Sequence, residues 1–562
     1  MPRMWRLVPA SFGLVALGAC HLHSSAEVTT CADVPAGCDS AAGSDTGPSA
    51  TDDADGDGLT ADVDCDDDDA DVGEPTTWYA DGDGDGWGLE DEAVEACDQP
   101  ENTSETPGDC DDSTAEASPD IADETCNDGL DNNCDGTSDG CQFEGEQTTD
   151  DAIAQLWTET PTSYSWFGHP LAMDHDLSGD GVPEIVLSQI YAQYSSGAYG
   201  ATYVFEGNSI RDVEASDAYA RYYGEVTDYL GSSAATGDID GDGQADLVSG
   251  AYGYSTEVSS NAGVTAVWLG PLPPEKAALG EADILIPGLE PNDYTGWAVT
   301  IGDVTGAGNS IVTSGPYVGT NNEGAVYVLP AGTTSSSAVD SAVATIDGSS
   351  AAYLGTRMDA GDLDGDGVDD LVVSATWQDS YTGKVFVFHG PLSGQLTTDD
   401  ATFSTGGAAA QTYFGDVAAV LGDVDGDGLR DMGLGAYRED GDATDSGAAY
   451  VYAGPVDADD TPLATLAGNA QVNGVGSALD SSQDGSNAGS ARLFYGPVSG
   501  TIAQLDADAK WRPTVSGTYL GRIAGAGDVD GDGDGDVVLG SHQVAQGNSL
   551  AMGAWIFPGD GL

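Results

Sequence analysis

Positive charge is scarce in this 562-residue chain: 13 lysines and arginines stand against 97 aspartates and glutamates, for a formal net charge of −84. No lysine or arginine lies between Arg6 and Arg211. Phosphate contacts depend on such side chains, so no nucleic-acid partner is expected. The negative excess keeps the chain soluble and repels anionic surfaces. Long apolar runs are also missing. The stretch Leu7 to Leu17 is too short to span a bilayer, and no other run reaches that length. The six histidines, His21, His23, His169, His175, His389 and His542, form no nucleophile or metal motif, and there is no C-x-x-C pair. An enzyme is therefore not expected. A carboxylate hydrolase is the weaker alternative, because no aspartate pair stands apart from the many that read as metal ligands.

One phrase recurs. GDIDGDGQADL begins at Gly237, GDLDGDGVDDL at Gly361, GDVDGDGLRDM at Gly422 and GDVDGDGDGDV at Gly527, with the variant HDLSGDGVPEI at His175. Side-chain oxygens at positions 1, 3, 5 and 9, a backbone carbonyl at 7 and a glycine at 6 build an all-oxygen cage for a hard divalent cation, calcium above all. The expected ligands are Asp176, Ser178, Asp180, Val182 and Glu184; Asp238, Asp240, Asp242, Gln244 and Asp246; and Asp362, Asp364, Asp366, Val368 and Asp370. The later units add Asp423, Asp425, Asp427, Leu429 and Asp431, then Asp528, Asp530, Asp532, Asp534 and Asp536. Asp-Gly turn chemistry explains the glycines but not carboxylates at fixed alternate offsets. Each loop precedes an apolar run that reads as a strand, so the setting is not the helix-flanked one of an EF-hand.

An aromatic, a variable residue and a glycine precede the loops, as in Trp166-Phe-Gly168, Tyr229-Leu-Gly231, Tyr294-Thr-Gly296, Tyr353-Leu-Gly355, Tyr413-Phe-Gly415 and Tyr519-Leu-Gly521, with a weaker Gly474-Val-Gly476. That makes seven units, each closing on an alternating strand such as ATYVFEG from Ala201 or KVFVFHG from Lys384. Several short strands per unit without helical periodicity predict an all-β, seven-bladed propeller over residues 150–562. Small sheets of this kind bury both faces only by stacking, so the ring must close. Ile153 to Trp157 is expected to complete the last blade beside Ala554 to Phe557. The repeated tyrosines are expected to pack the blades.

These residues resemble the FG-GAP repeats of the integrin alpha-subunit head, a seven-bladed propeller. The resemblance covers roughly Asp150 to Leu562 and implies a ligand-binding module. Two units depart from it. After Gly302 the third, fifth and ninth positions read Thr305, Ala307 and Ile311, leaving Asp303 as the only carboxylate, so no ion is expected there. The sixth unit is short and lacks the cage spacing.

Arg3 and Arg6, the apolar stretch and Leu17-Gly-Ala-Cys20 give the layout of a signal peptide ending at cysteine. This resembles a bacterial lipobox, which implies a signal peptide over residues 1–19, lipidation of Cys20 and attachment to the outer membrane or cell surface. Residues 20–50, rich in Ser, Ala, Gly and Thr, read as a flexible linker. Eight further cysteines precede the repeats and read as disulfides in an exported chain, with Cys31–Cys38 and Cys126–Cys134 as the expected local closures. Residues 51–142 form a small acidic region with little material for a core, so ions and disulfides must order it. Its expected calcium ligands are Asp81, Asp83 and Asp85, then Asp53, Asp55 and Asp57. WYADGDGDGWG, GDCDD from Gly108 and CNDGLDNNCDG from Cys126 resemble the MopE-type metal-binding motif, and the first half is similar to thrombospondin type-3 repeats.

The expected function is a calcium-binding, lipid-anchored surface protein whose propeller binds a protein or glycan. A structural envelope protein is the second reading.

Overall fold

The computed structural model describes the chain from Asp53 to Pro558 except residues 61–62, 67, 116, 120, 122–133, 135–144, 159–166, 174, 194–198, 208–210, 257–258, 440–446, 458–459, 468–490, 494–499, 504–508, 514–519, 528–535 and 542–552. Residues 1–52 and 559–562, with Cys20, Cys31 and Cys38, lie outside the described residues. The described chain is nearly all β. Among the described residues no helix is long and apolar enough to cross a membrane. Two compact units emerge: one comprises Val94–Pro100 and the chain up to Trp78, the other Tyr79–Ala93 and everything from Glu101 onward.

Within the larger unit the repeat appears as antiparallel four-stranded meanders. In the unit holding the second loop, Leu230–Gly237, Asp246–Ala251, Val264–Trp268 and Ile284–Pro287 pair in chain order, with Gly237 opposite Asp246 and Val264 opposite Pro287. The same order holds for Met358–Gly361, Asp370–Ala375, Lys384–Phe388 and Phe403–Gly406. The second strand of each is buried along its whole length. A strand covered on both faces needs a sheet on either side, which explains its uninterrupted Val, Leu, Ser, Gly and Ala in place of polar alternation.

Successive sheets supply those covers. Val248, Ile284 and Ile286 pack with Val299 and Ile311 of the next sheet, and Val312, Val326 and Ile346 pack with Leu371, Val373 and Phe386 of the one after. The first and last sheets share a core too, in which Ile185, Leu187 and Tyr203 meet Val538, Ala554 and Ile556.

The strand Ala154–Trp157 lies antiparallel to Gly553–Phe557, with Gly553 opposite Trp157 and Ile556 opposite Ala154. The pairing reaches further upstream than the sequence reading placed the repeat domain, because Gly145–Thr148 runs parallel to Ala509–Arg512. Fifth strands of this kind recur: Gly394–Thr397 runs parallel to Ala344–Asp347, and Lys276–Ala278 to Ala220–Tyr223. A sequence echo was available, since Gly145-Glu-Gln-Thr-Thr-Asp-Asp-Ala152 matches Gly394-Gln-Leu-Thr-Thr-Asp-Asp-Ala401.

The aromatic of each repeat sits where the chain turns back. Tyr229, Tyr294, Tyr353 and Tyr413 all have φ between 53° and 57°. A glycine two residues on is dictated by close approach. A Cβ on Gly296 would lie 2.3 Å from the Val264 carbonyl oxygen. The tyrosines join a half-exposed aromatic row across several sheets: Tyr229 stacks on Tyr252 at 5.0 Å, Tyr252 meets Trp297 at 4.8 Å, and Tyr317 meets Tyr353 at 5.4 Å.

Candidate metal centres

Each loop connects the first and second strands of its sheet, and its backbone is wound around the position 1 carboxylate. Asp238 accepts from Gly241 N at 2.7 Å and Gly243 N at 3.0 Å, Asp362 from Gly365 N and Gly367 N at 2.7 and 2.9 Å, and Asp423 from Gly426 N and Gly428 N at 2.6 and 2.7 Å. Asp176 holds Gly179 N and Gly181 N at 2.6 and 2.8 Å. Position 3 accepts from the position 5 amide, at 3.1 Å for Asp240, Asp364 and Asp425. Position 5 accepts from the position 7 amide: Asp242 from Gln244 N, Asp366 from Val368 N and Asp427 from Leu429 N, all at 2.8 Å, and Asp180 from Val182 N at 3.0 Å. Glycines at positions 4 and 6 carry the positive φ that this winding needs, 81° and 89° at Gly241 and Gly243.

The position 9 carboxylate has a second task that spacing did not reveal. Asp246 Oδ2 accepts from Ile239 N at 2.8 Å, and its Oδ1 from Gly270 N at 2.8 Å. Asp370 does the same with Leu363 N and Gly390 N, and Asp431 with Val424 N and Gly454 N. It thus staples the loop to the turn after the third strand while buried in the sheet. Asp246→Ala leaves two backbone donors without their partner, at about 1–3 kcal/mol each. The expected result is a lower melting temperature in calcium and in chelator alike, checked by thermal melts under both conditions.

Electrostatics favour an added cation. Burial pushes the Asp246 carboxyl up from its ordinary range against the pull of the Gly270 and Ile239 amides, and Asp240 and Asp238 push in the same direction as burial. Burial likewise raises Asp370, Asp431 and Glu184. Asp423 goes the other way, held down chiefly by the Gly428 amide. In the first loop, Asp176, Asp180 and Glu184 bring oxygens within 4.8 Å of one another, and Glu184 Oε1 and Ser178 Oγ are buried without a hydrogen-bond partner. Orphaned acceptors converging on one point fit a hard divalent ion.

The fourth loop adds a residue that the sequence reading passed over. His389 Nδ1 lies 3.3 Å from Asp364 Oδ2, and Asp364, Asp370 and His389 form one potential ligand group. Its signal was positional: His389 occupies the place that Leu269 and Ala453 hold after the third strands of other units.

The third loop needs a correction. Gly302 pairs with Ser310, as Gly237 pairs with Asp246, so the loop is one residue shorter and Ser310, not Ile311, is its ninth position. Thr305 Oγ1 and Ser310 Oγ lie 3.4 Å apart, and Asp303 Oδ1 takes Gly308 N. Of the final loop, Asp528, Asp530, Asp532 and Asp534 lie outside the described residues, whereas Asp536 is buried and paired with Gly527.

In the acidic region, Asp53, Asp55 and Asp57 converge within 4.8 Å, as do Asp81, Asp83 and Asp85. Two disulfides are present among the described residues, Cys65–Cys97 and Cys110–Cys134. The expected Cys126–Cys134 closure is therefore wrong. The fold brings Cys110 and Cys134 to a Cα–Cα distance of 5.6 Å across a separation of 24 residues, a contact that short spacing could not disclose.

Residues 230–269 and 354–388 match the FG-GAP repeat family. Two stretches of the chain are thus similar to FG-GAP repeats. The matched stretches coincide with two of the loop-bearing sheets, those holding the loops at Asp238 and Asp362. A curated relative, integrin alpha-4 of Xenopus laevis, is 38% identical over 105 residues, which is 18% of this chain and 10% of the relative. Among solved structures, the rhamnogalacturonan lyase PL11 of Bacillus licheniformis aligns over 69% of this chain and 71% of that chain, with 14% identity and a TM-score of 0.30.

Proposed function

We propose that the FG-GAP sheets close into a seven-bladed propeller, stabilised by calcium in its loops, which acts as a binding module for a protein or glycan at the cell surface. The observation that carries this reading is the same carboxylate winding at the same strand junction in the loops beginning at Asp176, Asp238, Asp362 and Asp423, with burial raising the position 9 carboxyl in each. The shared core of the first and last sheets, and the pairing of Ala154–Trp157 with Gly553–Phe557, support closure. The FG-GAP match and the local likeness to an integrin alpha chain support ligand binding in place of turnover. Disulfides fit an exported protein, and the lipobox-like Cys20 supplies the membrane anchor in this proposal.

Calcium would be held by positions 1, 3, 5 and 9 with the position 7 carbonyl, and would neutralise the mutual repulsion within each loop. Asp240→Ala and Asp364→Ala remove one ligand each without touching the position 9 staple. Each is expected to lower the melting temperature by about 3 °C in calcium and to leave it unchanged in chelator. Unchanged melting in calcium would reject those sites. For the binding role, the cation-loaded protein is screened against glycan and envelope-protein arrays. Saturable binding that disappears on chelation is the expected result, and absence of any ligand would favour a purely structural envelope protein.

A further inference from the structure

The loops at the strand junctions touch one another. Leu177, at position 2 of the first loop, gives its N–H to Glu184 Oε2 and takes Leu272 N on its own carbonyl oxygen at 2.7 Å. Leu272 ends the turn Gly270-Pro-Leu272, whose Gly270 N is held at 2.8 Å by Asp246 Oδ1 of the second loop. One peptide unit and one turn thus connect the position 9 carboxylates of adjacent loops. Packing adds another link. A Cβ placed on Gly179 would lie 3.3 Å from Gln244 Oε1, so the position 7 side chain of the second loop rests on the first.

The fourth and fifth loops repeat the arrangement. Asp370 Oδ2 takes Leu363 N at 2.9 Å, and the Leu363 carbonyl oxygen abuts Gly454, where a Cβ would lie 2.6 Å from it. Gly454 N is in turn held by Asp431 Oδ1 at 3.1 Å. Leu429, at position 7 of the fifth loop, lies over Gly365 of the fourth, where a Cβ would meet Leu429 Cδ2 at 2.6 Å.

The third loop interrupts the series. Ile239 O of the second loop takes Gly332 N at 3.1 Å, yet the acid that would staple this turn is replaced by Ser310. On the other side, Leu392 N reaches Val304 O at 2.7 Å from the turn that Asp370 holds. Fixed protein contacts tie the third loop to both neighbours: Asn309 Nδ2 donates to Asp238 O at 2.9 Å, and Asp303 N donates to Asp369 Oδ2 at 2.7 Å. With Asp303 as its single carboxylate, this loop has no occupancy of its own to change.

We infer that the described loops load divalent cations as two cooperative pairs, first with second and fourth with fifth, insulated from each other by the third. The inference rests on the cation reading of the loops and adds how their loading is regulated. A cation that settles Asp246 fixes the turn from Gly270 to Leu272, which fixes Leu177 and so Glu184. Loading either member preorganises the other, and linkage makes the effect reciprocal. Each pair therefore responds to calcium over a narrower range than a lone site.

The test uses the full chain and its Asp240→Ala and Asp425→Ala variants, each of which removes a position 3 ligand and spares the position 9 staple. Hydrogen exchange with peptide mass spectrometry reads every loop separately across a calcium titration. Asp240→Ala is expected to raise the calcium midpoint of residues 176–184 about fivefold and leave residues 362–370 unchanged. Asp425→Ala should do the converse. In chelator all three proteins should exchange alike in these segments, and a difference that persists there would mark structural damage and overturn the inference. Calcium-dependent protection with independent midpoints, or equal shifts on both sides of the third loop, overturns the pairing and leaves the cation reading standing. A parent protein without calcium-dependent protection in any loop removes both.

Discussion

Removing divalent cations with a chelator is expected to lower the melting temperature of the protein by about 10 °C or more, the largest effect of any change in conditions. The estimate follows from linkage. A site with a dissociation constant tenfold below ambient calcium stabilises the folded state by about 1.4 kcal/mol, so four such loops contribute about 6 kcal/mol, comparable to the net stability of many domains. Without the ion, each loop holds several carboxylates within a few ångströms and buries the one at position 9. The formal charge of −84 makes that worse, because no surplus of cations lies nearby to compensate. A thermal melt in calcium and in chelator, with ions counted by native mass spectrometry, checks both halves of the argument. A melt indifferent to chelation, with no bound ions, would mean that the loops are turns only.

Severing the amino-terminal strands should be the most damaging change to the chain itself. Ala154 and Leu156 are each 2% exposed and sit in one core with Ile185, Tyr203, Val538 and Ile556. Leu156→Asp places an unpaired charge there, at several kcal/mol. Deleting residues 145–157 goes further, since it strips the partner from two strands, Gly553–Phe557 and Ala509–Arg512, and leaves open edges that invite association with other chains. Both variants are expected to aggregate or melt well below the parent, as followed by thermal melts and sedimentation. Appending residues 145–157 after Leu562 in the deletion variant should restore the melt if the strands close a ring. Failure of that relocated segment to rescue, or a deletion variant as stable as the parent, would count against closure.

The sequence reading stated the local geometry and missed contacts that depend on the fold. The carboxylate offsets in Asp238 to Asp246 are properties of one short loop, so spacing alone grouped these carboxylates. The role of Asp246 as a staple to Gly270 was hidden, because that amide lies 24 residues downstream and meets it only across the sheet. The one-residue deletion in the third loop, with Ser310 in place of an acid, appeared only once strand register could be seen.

By itself, then, the sequence determined a repeating β architecture, the loops in which carboxylates gather and the excess of negative charge around them. Periodicity and offset are encoded within a few residues of chain and survive without knowledge of neighbours. Tertiary structure alone decided that Cys110 bridges Cys134, that His389 approaches Asp364 and that Gly145–Thr148 joins Ala509–Arg512. Each of those contacts is set by how separate segments pack, which local propensity does not specify.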